Sequence, residues 1–86
     1  MGSPEGQLPA AITAIFVNNI NPFDMLARHI CGDWGNLDAE DWEVNNQALV
    51  TNDRILSAYV LPDGTRVWII TEADRSVTTL LLPSEY

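Results

Sequence analysis

The sequence contains no lysine. Its only cations are Arg28, Arg54, Arg66 and Arg75, set against 12 Asp+Glu, for a formal net charge of −8. An evenly charged domain of this length carries about 10 or 11 acids, so the imbalance comes from missing bases and not from surplus acids. Without a basic patch the chain is not expected to bind nucleic acid directly or to hold an anionic membrane surface. An all-arginine set favours specific bidentate pairing over general solubilisation.

Cysteine is reduced to Cys31, which excludes a disulfide within the chain and removes any need for an oxidising compartment, so a cytoplasmic location is expected. Histidine is reduced to His29, which argues against a His-based metal centre. No metal and no cofactor are expected. Long hydrophobic runs are missing too. The apolar stretch from Leu8 to Val17 has no basic segment before it and is too short to cross a membrane, and it reads neither as a signal peptide nor as a span.

What is present is the composition of an ordinary globular chain, with 47% hydrophobic residues over 86 positions. Residues 1–8 read as a flexible lead and 9–86 as a single domain. The hydrophobic period changes once, near residue 52. Before it the spacing is helical. Pro9 suits a first turn, with Ile12, Ile15 and Phe16 following at helical steps. Asn21-Pro22 is an N-cap and first-turn signal, and Phe23, Leu26, Ala27 and Ile30 form one stripe that ends at Gly32. A third helix is expected to begin at Asp38, with Glu40 and Asp41 in its first turn and Ala39, Trp42 and Leu49 on one side. After residue 52 come three β-rich runs: Ile55 to Leu61, Arg66 to Thr71 and Ser76 to Leu82. Pro62-Asp63-Gly64 joins the first two and Glu72-Ala73-Asp74-Arg75 the others. Connections this short make neighbours antiparallel, so the fold class is α+β, with N-terminal helices packed on a three-stranded antiparallel meander. Apolar residues occupy both parities of the strands, so both sheet faces call for cover, and a homodimer across the second face or through a strand edge is expected.

Three polar constellations stand out. Arg28, His29, Asp33 and Trp34 gather where the second helix ends. There the simplest reading has His29 capping the helix C-terminus or bonding a backbone carbonyl, and Cys31 acting as a small buried hydrophobe. Asp33, Asp38, Glu40, Asp41 and Glu43 form an acidic stretch, read first as the solvated front of a helix and, as an alternative, as an imitation of DNA phosphates. Glu72, Asp74 and Arg75 lie in the string Thr71 to Ser76, an ordered polar turn in which Glu72 or Asp74 is expected to pair with Arg75, Arg28 or Arg54.

Arg28-His29, Gly32-Asp33-Trp34-Gly35, Ser57-Ala58-Tyr59, Trp68, Thr71-Glu72-Ala73-Asp74-Arg75-Ser76 and Leu81-Leu82-Pro83 together resemble a family of small bacterial proteins carried on plasmids, integrons and other mobile elements. Some of these bear the label plasmid-related, others that of a type I restriction endonuclease subunit M. The resemblance spans about residues 22 to 86. The restriction label does not fit: 86 residues cannot hold a methyltransferase domain, and neither a glycine-rich cofactor loop nor an Asn-Pro-Pro-Tyr-type motif is present. What the resemblance implies is an accessory protein of mobile DNA.

The resulting expectation is a non-enzymatic protein-interaction module in which Arg28, His29, Asp33, Trp34, Glu72, Asp74 and Arg75 form the binding surface, with a protein partner. Two alternatives stand beside it. One is an acidic DNA-mimic inhibitor of a host DNA-binding or defence protein. The other is a small ligand-binding protein or enzyme, for which His29, Asp33 and Glu72 would have to converge in one pocket.

Overall fold

A computed structural model describes residues 10–86. The expected lead over 1–8, and Pro9, lie outside the described residues. The order of elements is α1 (Ala10–Val17), α2 (Pro22–Ile30), α3 (Ala39–Thr51), β1 (Ile55–Val60), β2 (Arg66–Thr71) and β3 (Thr78–Leu81), followed by a single 3-10 turn over Pro83–Glu85. The sheet is antiparallel with strand order β1-β2-β3. The α+β architecture of helices followed by a meander is the one the sequence leads us to expect.

Local chemistry sets the ends of the helices. The Asn21 side chain accepts a hydrogen bond from the Phe23 N–H at 2.9 Å, and Asp38 does the same for Asp41, so both helices open on side-chain caps. At the end of α2, Gly32 adopts φ +83° while its N–H bonds the His29 carbonyl and that of Asp33 bonds the Arg28 carbonyl. That pair of bonds is a Schellman stop. α1 and α3 close on left-handed asparagines, Asn19 and Asn52.

Strand register separates the two sheet faces. Ile55, Ser57 and Tyr59 pair with Thr71, Ile69 and Val67, and these six side chains share the face that α1 and α2 cover. The core there joins Ala11, Ile15, Met25, Tyr59, Leu61, Val67 and Ile69. Leu56, Ala58, Arg66, Trp68 and Ile70 point the other way. On that second face Ala58 and Ile70 are buried, and Trp68 meets the ring of Tyr86 edge-on at 5.6 Å.

Two helical faces differ from expectation. In α2, Met25 and His29 are buried, whereas Phe23 and Ile30 are 74% and 80% exposed. In α3, Asn45 and Ala48 are buried and Leu49 is exposed. The reason for the second exchange lies at the outer edge of β1. The Asn45 amide donates to the Leu56 carbonyl at 2.6 Å, and its oxygen accepts the Leu56 N–H at 3.1 Å. Two residues on, the Ala58 N–H bonds the Trp34 carbonyl and the Ala58 carbonyl accepts the Asn36 N–H, forming a parallel bridge at Gly35. Every outward backbone group of Leu56 and Ala58 is thereby paired, and a buried polar residue does work that a hydrophobe cannot.

The bridge is possible because Gly35 has φ +76° and no side chain: a Cβ there would run into the Ala58 carbonyl oxygen and meet Tyr59 ring carbons at 2.6 and 2.8 Å. Gly35→Ala is therefore expected to cost more than about 2 kcal/mol in urea unfolding. Gly64→Ala, at φ +89° with open space around it, should cost about 1 kcal/mol. Equal losses at the two positions would show that the close approach at Gly35 is not what matters.

Candidate functional site

His29 sits under the sheet at 5% exposure, with Nδ1 2.5 Å from Ser57 Oγ and Nε2 2.8 Å from Thr71 Oγ1. Thr71 Oγ1 lies in turn 2.9 Å from Thr78 Oγ1. A neutral imidazole satisfies both hydroxyls, one ring nitrogen donating and the other accepting. Ser57 and Thr71 point inward from β1 and β2, so α2 is fastened to two strands through one ring. Trp34, 1% exposed, meets that ring edge-on at 5.8 Å and donates from Nε1 to the Asn46 side-chain oxygen at 3.0 Å. The expected helix cap at His29 is thus replaced by a core network. The outward Cys31 likewise differs from the buried hydrophobe expected.

Arg28 and Asp33 form a two-pronged ion pair, with Nε to Oδ2 at 2.7 Å and Nη2 to Oδ1 at 3.3 Å. The hydrogen bond from Arg28 holds the Asp33 carboxyl below its ordinary range, and Asp33 raises Arg28 in return. The same guanidinium lies 4.5 Å from the centre of the Tyr59 ring, whose hydroxyl donates to the Asp33 carbonyl at 2.6 Å. Burial pushes the Tyr59 hydroxyl up. Arg28, His29, Asp33 and Trp34 therefore do come together, as a knot that ends α2 and seats it on β1.

The second group lies at the β2–β3 turn. Asp74 accepts from the Ser76 N–H and hydroxyl at 3.0 and 2.6 Å, which pulls its carboxyl pKa down. Arg75, at φ +65°, aims its guanidinium at backbone oxygens: Nη1 at Asp53, Glu72 and Ala73, and Nη2 at Ala48. It ties the C-terminal end of α3 to the turn, since the Ala48 carbonyl, already met by the Asn52 and Asp53 N–H groups, takes a further bond from Nη2. The expected pairing of Arg75 with Glu72 or Asp74 is replaced by these carbonyls, and among the described residues the ion pair is Arg28–Asp33. His29, Asp33 and Glu72 do not converge: the first is engaged by hydroxyls and the second by Arg28, and no hydrogen bond links Glu72 to either among the described residues.

A different place remains open. A groove of about 640 Å³ runs along the second sheet face between the strands and α3. Leu56, Ala58 and Trp68 line it from the sheet, Asp41 and Val44 from α3 with Asp38 from its N-cap, and Arg54 and Arg66 from the strand ends. Both arginines are exposed and, among the described residues, make no ion pair. Arg28 and Arg75 are held by hydrogen bonds, and the other two cations face this groove, with the Arg54 guanidinium 5.7 Å from the centre of the Tyr86 ring. Neither Arg54 nor Arg66 was singled out from sequence as a binding residue, although the hairpin around Pro62-Asp63-Gly64 sets a register that puts Arg66, Trp68 and Leu56 on one face. Among the described residues no group of three or more His, Cys, Asp or Glu side chains is placed to hold a metal ion, and no helix is long and apolar enough to cross a membrane. No protein-family model, curated protein or solved structure matches this chain.

Burial keeps the His29 pKa below its ordinary 6.5. As pH falls the unfolded chain takes up this proton first, so the native state loses stability from about pH 6.5 down to the lower native value, where the loss levels off. Asp33, with its depressed native pKa, contributes stability that is lost only at lower pH, as its carboxylate is protonated. His29→Gln should cost about 1 to 3 kcal/mol at neutral pH and flatten the upper window. Urea midpoints of both proteins across pH 5 to 8 check this, and an unchanged slope in the variant would assign the window to another group.

Proposed function

We propose that this chain is a non-enzymatic protein-interaction module, an accessory protein of mobile DNA in line with the resemblance noted above, and that its docking surface is the groove on the second sheet face. The observation that carries this reading is the pair Arg54 and Arg66, which among the described residues make no ion pair and line the groove together with Trp68, in a chain that has only four cations. A volume of 640 Å³ lies within the about 300–1,000 Å³ typical of ligand sites. The shape suits an extended segment of a partner protein, with an apolar side chain over Trp68 and carboxylates against the two guanidinium forks. Asp38 and Asp41 on the α3 wall disfavour a segment that is acidic throughout, so the partner carries its acids at separated positions. The one imidazole is committed to Ser57 and Thr71 inside the core, away from this surface, which speaks for binding and against acid–base chemistry.

Selection from a random peptide library should enrich segments with two separated acids around an aromatic or aliphatic residue. Binding should weaken with added salt, and Arg54→Gln with Arg66→Gln should cost roughly tenfold in affinity for each lost charge-assisted contact. Thermal stability of the double variant should fall by no more than about 0.5 to 1 kcal/mol, the contribution of the exposed Arg54–Tyr86 contact. Enriched peptides that bind the double variant as well as the parent would place the docking surface elsewhere.

A further inference from the structure

α2 carries an apolar face that the fold does not use. Phe23, Ala27 and Ile30 recur at helical spacing, all three are exposed, and Ile30 at 80% is among the most exposed hydrophobes in the described chain. The face continues onto the end of α1 through Phe16, 56% exposed, and Val17, 71% exposed. It is uneven in a telling way. At its N-terminal end lies a hollow of about 520 Å³ lined by Phe16, Asn19, Ile20, Asn21, Pro22 and Phe23, and at its C-terminal end Ile30 projects into solvent.

We infer that a second copy of this chain packs against α2 antiparallel about a two-fold axis, placing Ile30 of the partner subunit in the Phe16–Ile20–Phe23 hollow and the reverse. A two-fold interface has to be self-complementary, and a projection and a cavity at opposite ends of one short helix meet that condition. Ala27 lies near the centre, where a small side chain lets two helix backbones approach closely. Charge agrees with the arrangement. Asp24 and Arg28 flank the stripe on one side, and like flanks face each other in an antiparallel two-fold pair, so each Asp24 comes beside Arg28 of the partner subunit and adds a second carboxylate to the Arg28–Asp33 pair. The exposed parts of Phe16, Val17, Phe23 and Ile30 amount to about 1,000 Å² over two protomers, the lower limit for a specific interface. This surface is separate from the groove, so the dimer and the proposed docking function stand or fall independently.

Sedimentation of the full chain at high micromolar concentration should give about twice the 9.5 kDa mass, falling on dilution. Ala27→Arg and Ile30→Asp, both at exposed positions, should keep the thermal transition of the dissociated wild-type chain and raise the dimer dissociation constant at least tenfold. Orientation is read by cysteine. In the antiparallel pair the two Cys31 thiols lie at opposite ends, beyond the about 7 Å Cα separation a disulfide tolerates. With a mild oxidant to accept the two electrons and two protons, wild type should stay uncross-linked, whereas Phe23→Cys should join Cys31 of the partner subunit. A monomeric wild type, a dimer indifferent to both substitutions, or wild-type cross-linking through Cys31 would each overturn the inference.

Discussion

A three-stranded sheet has two edges, and the outer edge of β1 is the one around which this molecule is arranged. Its N–H and C=O groups at Leu56 and Ala58 are met by the Trp34–Asn36 backbone and by a single amide, that of Asn45. Unpaired, they would be a template for another strand. Meeting them fixes where α2 must stop, since Gly32 and Gly35 have to turn the chain within a few residues. It also fixes where α3 must lie, since Asn45 has to reach Leu56. The groove follows from the same constraint: a helix that meets the edge of β1 through Asn45 stands beside the second sheet face and walls it without covering it.

Polar groups are distributed by the same logic. His29, Ser57, Thr71 and Asn45 are buried, and each is satisfied by a partner that is remote in sequence. Such pairs add little net stability when made and cost much when broken, so their value lies in defining a single arrangement of helices on strands. Arg28 and Arg75 act alike at two helix ends, one through a carboxylate and one through carbonyls. Arg54 and Arg66 make no ion pair among the described residues and line the groove on the second sheet face, Arg54 over the ring of Tyr86.

Much of this could be read from the sequence, and the limits have physical causes. Caps at Asn21 and Asp38, the Gly32 stop and the Pro62-Asp63-Gly64 turn are local chemistry, and local chemistry places element ends. Which face of a helix is buried is decided by partners the local pattern does not contain. In α2 the apolar periodicity marks Phe23 and Ile30, yet the core takes Met25 and His29, because Ser57 and Thr71 offer an imidazole two hydroxyls. In α3 an asparagine outranks leucine because it completes a strand edge. Arg75 reads as one half of a salt bridge, yet its guanidinium is taken up by backbone carbonyls at the end of α3 and in its own turn. Asp38, Asp41, Arg54 and Trp68 are each visible in the sequence, but no motif joins them into one groove; strand register and the packing of α3 on β1 bring them together.

The position of these partners along the chain has a consequence for synthesis. His29 waits for Ser57 and Thr71, Trp34 and Gly35 wait for Ala58, and Asn45 waits for Leu56. A ribosome delivers the helices first, without the surfaces that complete them, and helices of 8, 9 and 13 residues are too short to persist alone in water. Nothing durable can form until the β1–β2 hairpin has emerged, after which helices and sheet must settle together in one cooperative step. A chain truncated before residue 71 lacks the Thr71 hydroxyl that His29 meets and the whole of β3, so α2 loses one of its two anchors on the sheet.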